Sequence, residues 1–412
     1  MNSILVIVLV IIIFDYLFDL TLDILNLKSR SNPVPNLLAD VYPPERYLLQ
    51  QEYESETTQF NFIHSTLSII VLFVVLYFGW LGKLHEWLIT FNLFDILTTL
   101  IFFALLGLIG WIGSLPFSLW GTFVIEAKYG FNRTTPRLYV TDSIKSILIS
   151  AIIGGSLIAL ITWLFYAAGN WFWIIALGVM LTFSLLANAL YSRVIVPLFN
   201  KQKPLQEGEL LNKIKEFGAS VGFPVSKVYV IDGSKRSTKA NAYFSGFGSN
   251  RRVVLYDTLM EKMSNGEILA VLAHEIGHYR KRHIWVNFCI GALQSAVILF
   301  IFSRISQSVE LSIALGYHNA TAPVFHLSLL AFGLLFSPIE SILGLITNSI
   351  SRKMEFQADD FATSSGFGPE LMSGLKKLSS ENLSNLTPHP AYVFVNYSHP
   401  TLLSRVKKIL LH

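Results

Sequence analysis

Long apolar runs separated by short polar connections dominate the chain, and the polar connections carry most of its charge. The runs fall near residues 4–27, 62–82, 95–125, 144–168, 171–198, 284–305 and 324–350. Each holds about 20 mostly apolar residues, which is what a helix rising 1.5 Å per residue needs to cross a hydrocarbon core of roughly 30 Å. The pattern therefore predicts seven transmembrane helices. The first run has no basic leader and no small-residue cleavage site, and it continues past Asp15 to Ile24, so it reads as a retained span. Asp15, Asp19 and Asp23 lie four apart on one face of that span, which either lines a wet interior or is the interfacial face of a tilted helix, and Glu340 sits beside Pro338 in the seventh, facing the interior.

Between the fifth and sixth runs the texture becomes that of a soluble domain. "EGELLNKIKEFGASVG" has helical spacing, "KVYVID" and "RRVVLYD" are β-branched runs of strand length, and turn residues frame a short strand over Asn241, Ala242, Tyr243 and Phe244. The Pro-rich "NPVPNLLADVYPPER" reads as irregular surface chain. The expected organisation is spans one to five over 1–199 with a first loop at 28–61, a soluble portion over 200–283, spans six and seven over 284–350, and a soluble C-terminal part over 351–412.

Composition sharpens this picture. The 412 residues are 52% hydrophobic and 14% charged, against about a quarter charged in an ordinary soluble protein. The net charge of +4 sits at span ends and no base-reading motif accompanies it, so a nucleic-acid partner is not expected. The single cysteine, Cys289, falls inside the sixth run, where it reads as a small buried hydrophobe. Short-loop Lys and Arg orient the spans. Lys28, Arg30, Arg46, Lys128, Arg133 and Arg137 fall on one side and only Lys83 on the other, which places the N-terminus outside and both soluble parts in the cytoplasm.

Candidate chemistry lies at the entrance to the sixth run. "HEIGH" sets His274 and His278 one helical turn apart, able to present imidazoles to one metal ion, with Glu275 beside them as a base for water. The preceding "EILAVLA" supplies an apolar helical face in phase with it. A catalytic zinc usually has three protein ligands and one open position. "SRKMEFQADDFA", just past the seventh run, offers Glu355 and Asp359 at i and i+4, so one carboxylate can bind metal while the other orients a ligand histidine. Spacing does not distinguish them, and a solvated helix with an acidic stripe is the ordinary reading of that piece alone.

With these residues in view the chain resembles the integral-membrane zinc endopeptidases called type I CAAX prenyl proteases. The resemblance spans almost the whole chain, through "EAKYGFN", "VPLFNKQKPL", "GSKRSTKANAYFSGF", "VLYDTL", "LAHEIGH", "FSPIES", "SRKMEFQADDFA", "ENLSNLTPHPAYV" and "YSHPTLLSR". It implies an all-α polytopic fold, with seven helices enclosing a water-filled chamber capped by a gluzincin-like zinc protease domain that has a small β element. It implies one zinc ion held by His274, His278 and Glu355, with Glu275 as general base and Asp359 behind the ligands. It further implies His399 as a donor to the oxyanion with Arg405 as its structural partner, and Asn241 to Phe244 as the edge strand that pairs with substrate.

Two departures bear on the setting. The segment from Met260 to Ala273 is short where some eukaryotic relatives carry a charged insertion, and "KKILLH" does not form a dilysine retention signal. Both favour a bacterial inner membrane over the endoplasmic reticulum. The expected partners are the lipid membrane and a peptide or prenylated protein substrate. The leading function is cleavage near the C-terminus of prenylated CAAX proteins or related apolar peptides. A general membrane quality-control protease is the alternative within the enzymes, and a channel or scaffold with a structural metal is the alternative outside them.

Overall fold

The computed structural model describes residues 2–223, 227–245 and 252–412, with the side chains of Phe244 and Ser245 left aside. Arg251 of the expected "RRVVLYD" strand and residues 246–250 of the turn before it lie outside this description.

Among the described residues, seven helices are long and apolar enough to cross a membrane. The first is Ser3–Ser29, capped by the Asn2 side chain, which accepts from the Ile4 amide at 2.8 Å. The second, Pro44–Tyr77, and the fourth, Pro136–Ala167, both open on a proline, whose missing N–H costs nothing in a first turn. The third spans Asp95–Lys128 and the fifth Gly169–Phe199, each interrupted by a π-helical turn, at Gly121–Ile125 and Tyr191–Ile195. The sixth is His283–Ile305, and the seventh, Phe325–Ala362, runs without a break into the acidic segment.

Neighbouring spans pack in chain order, one against two, two against three and so on, and the seventh closes back on the first and also meets the third, where His326 Nδ1 lies 3.0 Å from Thr99 Oγ1. Such a ring buries little of itself: between 0% and 22% of each span's most apolar window is covered by protein. A solid bundle of this size would bury far more, so the helices form a wall around a hollow. Asp19 and Asp23 line a cavity of about 300 Å³ with Tyr392 and Asn396, and Asp15 accepts from Ser337 Oγ at 2.7 Å. Glu340 is exposed, and Cys289 is exposed as well, not buried as the sequence suggested. A cysteine inside an apolar run was assumed to face protein, but in a ring most span residues face lipid or the hollow.

The soluble part caps one end of the ring. Its sheet has four strands in the order β1–β2–β4–β3: β1 Gln202–Pro204, β2 Val228–Ile231, β3 Ala242–Ser245 and β4 Arg252–Tyr256. β2 runs parallel to β4, and β3 pairs antiparallel with β4 on one side only. The Tyr256 amide donates to the Asn241 carbonyl, and Tyr243 lies opposite Val254. By antiparallel alternation the backbone groups of Ala242 and Phe244 therefore point to the open edge. Beneath the sheet, Leu211, Ile214, Phe223, Leu255 and Ile276 form a buried core with the helix that carries "HEIGH".

One expectation about extent needs correction. The first loop is not loop throughout 28–61, because the second helix begins at Pro44. Its polar turns lack a hydropathy signal yet are held by tertiary bonds, such as Glu54 accepting from Asn385 Nδ2 at 2.5 Å and from Asn26 Nδ2 at 3.2 Å. β1 and the short helix Trp80–Ile89 were not anticipated.

Candidate active site

Helix Asn265–Arg280 carries the first half of the site. It starts on a reciprocal capping box: Ser264 Oγ accepts from the Glu267 amide, and the Glu267 carboxylate accepts from the Ser264 amide at 2.8 Å. Ile268, Leu269, Leu272 and Ile276 bury its apolar face. It lies directly against the C-terminal half of the seventh helix, and Gly277 permits that closeness: a Cβ there would meet Ala358 Cα at 3.0 Å. The contact brings His274 and His278 over Glu355 and Asp359.

The donor atoms converge. His274 Nε2 and His278 Nε2 are 3.2 Å apart, His274 Nε2 is 3.4 Å from Glu355 Oε2, and His278 Nε2 is 3.1 Å from Glu355 Oε1. All three ligand atoms fall within 4.8 Å of one another. Glu355 Oε2 is buried with no hydrogen-bond partner. A desolvated carboxylate oxygen left unpaired is costly, and a cation at the convergence of these atoms removes the cost. Two imidazole nitrogens and one carboxylate oxygen fit a catalytic zinc that keeps an open position.

What stands behind the donors fixes their protons. His274 Nδ1 lies 2.8 Å from Asp359 Oδ1, and an ionised carboxylate only accepts, so the proton sits on Nδ1 and the Nε2 lone pair is free. Asp359 is itself gripped by Arg405, through Nε at 2.8 Å and Nη2 at 2.6 Å. Thus Arg405 serves Asp359; the expected pairing with His399 is not what its bonds make. His399 is exposed on its own turn, with Nε2 3.5 Å from Glu355 Oε1 and Nδ1 3.0 Å from Ser398 Oγ. Glu275 is half-buried on the same helix as the two histidines.

Five residues that sequence reasoning missed complete the arrangement. His283 Nε2 is 2.8 Å from Gln357 Oε1, which accepts; its Nδ1 then accepts from His278 Nδ1 at 2.9 Å, leaving the His278 Nε2 lone pair free. Arg282 at φ 57° turns the chain so that His283 comes back onto His278. That turn lies beyond the helix, so helical periodicity gave no hint of it. Arg352 and Asn348, on the seventh helix, bond the carbonyls of Tyr397 and Val395 just ahead of His399.

Residues 204–411 match peptidase family M48, and residues 23–201 match the family described as CAAX prenyl protease N-terminal, five membrane helices. The chain belongs to peptidase family M48. This member is a membrane metallopeptidase. It is 38% identical to a rice protein named CAAX prenyl protease 1 homolog, over 98% of this chain and 96% of that one. It is 31% identical to the Saccharomyces cerevisiae CAAX prenyl protease 1, over 92% of this chain and 89% of the yeast protein. The crystal structure of S. mikatae Ste24p superposes with a TM-score of 0.94 at 30% identity, covering 99% of each chain.

Proposed function

We propose that this peptidase binds one zinc ion through His274, His278 and Glu355 and hydrolyses peptide bonds near the C-terminus of prenylated CAAX proteins or related apolar peptides. The single observation that carries the reading is the convergence of the three donor atoms beside Glu275 and His399, at the mouth of a membrane ring. The names of the rice and yeast relatives support the substrate class. The basic loops support an N-terminus outside and a site facing the cytoplasm. The plant and fungal relatives weigh toward a eukaryotic membrane over the bacterial inner membrane.

A zinc ion held there supplies Lewis-acid polarisation of the scissile carbonyl and brings the pKa of water toward about 7. The chain's own residues do the rest. The substrate adds a strand to the open edge of β3, receiving main-chain hydrogen bonds from Ala242 and Phe244. Glu275 takes the proton of the attacking water and later passes it to the leaving amine. His399 donates to the oxygen that gains negative charge; a donor of this kind is worth about 2.7–4 kcal/mol in other enzymes. Asp359, under Arg405, keeps His274 in the tautomer that leaves Nε2 free.

The test is cleavage of a farnesylated CAAX peptide beside its unprenylated twin by detergent-purified protein, with and without a zinc chelator. Chelator-sensitive cutting that favours the farnesylated peptide is expected. Equal cutting of both would point to general clearance of membrane polypeptides. Cutting that survives the chelator, with the metal measured as removed, would refute the mechanism.

A further inference from the structure

A cavity of about 1250 Å³ lies between the third and fourth spans, and none of the metal donors lines it. It is larger than the 300–1,000 Å³ typical of a small-molecule pocket. We propose that it receives the isoprenoid chain of the substrate while the peptide lies along β3; this rests on the reading of the protein as a CAAX-cleaving peptidase.

Its position is the first argument. The cavity's rim is formed by Thr134, Tyr139 and Asp142. Asp142 accepts from Arg236 Nε at 2.8 Å and Nη2 at 3.1 Å, and Thr134 Oγ1 donates to the Arg236 carbonyl at 3.3 Å. Arg236 lies five residues ahead of Asn241, so the rim is at most about 18 Å of extended chain from the substrate strand. From Asp142 to Ile158 the fourth span then carries the lining for about 24 Å at helical rise.

Polarity along that length is the second. Ser118, Tyr139 and Ser143 sit at the rim and Ser146 and Ser150 follow along the fourth span, whereas the far end is mainly apolar, with Leu100, Phe103, Leu108 and Ile158 around a single hydroxyl, Ser156. Even the rim hydroxyls are partnered within the wall: Tyr139 donates to Ser118 Oγ at 2.7 Å and Ser143 to the Tyr139 carbonyl at 2.8 Å. A ligand that is polar at the protease end and hydrocarbon beyond it matches this gradient. Asp142, the one charged residue of the lining, is neutralised by Arg236, and no Lys, Arg or His lines the cavity. That disfavours a phospholipid, whose phosphate would need a cation. A single chain joined to an uncharged thioether needs none.

The space has been left by glycine. Nothing lies within 4 Å of where a Cβ would stand at Gly107 or Gly154. Both line the cavity, on adjoining spans. The opposite face of the fourth span is instead large and apolar, with Ile144, Leu148 and Ile152 exposed to what would be lipid. The cavity thus lies on the small-residue, hydroxyl-bearing side of the fourth span, away from its large apolar side chains.

The experiment uses the full-length, zinc-loaded protein and two readouts. Gly107→Leu and Gly154→Leu fill the cavity at positions with room for a side chain, and leucine favours the helix more than glycine does. The ratio of kcat/KM for a farnesylated peptide to that for its unprenylated twin is expected to fall at least 10-fold in the double variant, chiefly through KM. Leu148→Phe, on the opposite face, should leave the ratio as in the wild type. A ratio unchanged by the double variant overturns the proposal. Independently, a CAAX peptide bearing a diazirine on its isoprenoid chain should label residues of 100–111 and 147–158, and labelling elsewhere overturns the proposal as well. A wild type that cuts both peptides equally refutes the CAAX reading, and the label still decides for or against the cavity.

Discussion

Arg352 Nη1 donates to the carbonyl oxygen of Tyr397 at 2.6 Å, and reaches those of Phe394 at 3.3 Å and Val393 at 3.4 Å. These are carbonyls at the end of the short helix Pro390–Asn396, where a cation is favoured. Asn348 Nδ2 adds the Val395 carbonyl at 2.7 Å. The turn that carries His399 is thereby fastened to the helix that carries Glu355, three residues beyond Arg352. Arg352→Ala should lower kcat about 10-fold, less than the 10²–10³ that loss of an oxyanion donor itself costs, with metal content unchanged. Arg352→Lys, a point charge without the guanidinium fork, should recover part of it. Steady-state kinetics with metal analysis checks this, and a variant that loses metal instead would show that Arg352 supports the ligands and not His399.

Glu275 is asked only to move a proton. Glu275→Gln keeps size and hydrogen bonding, so metal content and fold should stay as they are while kcat drops by about 10²–10⁴, the usual worth of general base catalysis. Full activity in the variant would remove Glu275 from the mechanism.

His283 is asked to hold His278. Removing it in His283→Ala leaves the His278 tautomer unspecified, and metal affinity should weaken about 10–100-fold, as is typical when the partner of a ligand histidine is lost. Gln357→Leu should weaken it in the same direction and by less, because His283 then keeps its place but loses its acceptor. Competition with a chelator of known affinity measures both, and an unchanged affinity in His283→Ala would make its contact with His278 incidental.

The seven spans were legible because hydropathy reports each one locally, and "HEIGH" because both histidines ride one helix. Glu355 and Asp359 could be nominated from their i, i+4 spacing, but choosing between them took the packing of Gly277 on Ala358, which no local pattern encodes. His283 escaped notice because its approach depends on one left-handed residue, Arg282. The ring was expected from the family resemblance and not from periodicity: hydropathy says that a helix meets lipid, and says nothing about which helix follows it around a circle. Arg405 was expected as the partner of His399 on the family resemblance, whereas its long side chain directs Nε and Nη2 to Asp359.

Glu267 gives the site a pH dependence separate from its metal chemistry. Its carboxylate accepts from the Ser264 amide at 2.8 Å, Ser373 Oγ at 2.7 Å and Lys377 Nζ at 3.1 Å. Burial alone would raise its pKa, but these donors and the lysine charge outweigh it and hold the pKa below the ordinary glutamate value. A carboxylate with a depressed folded pKa contributes stability that is fully present above the unfolded value, about 4.3, and is lost as pH falls through the folded one. The Glu267→Gln variant retains the shape of the cap without the charge, so it should be less stable at pH 7 by about 1 kcal/mol. Thermal unfolding at one scan rate should show that gap closing as pH falls below about 4.3, because the wild type is then losing its charge as well. A gap that is the same at pH 7 and pH 3 would mean that hydrogen-bond geometry, and not ionisation, is what Glu267 contributes to the start of the "HEIGH" helix.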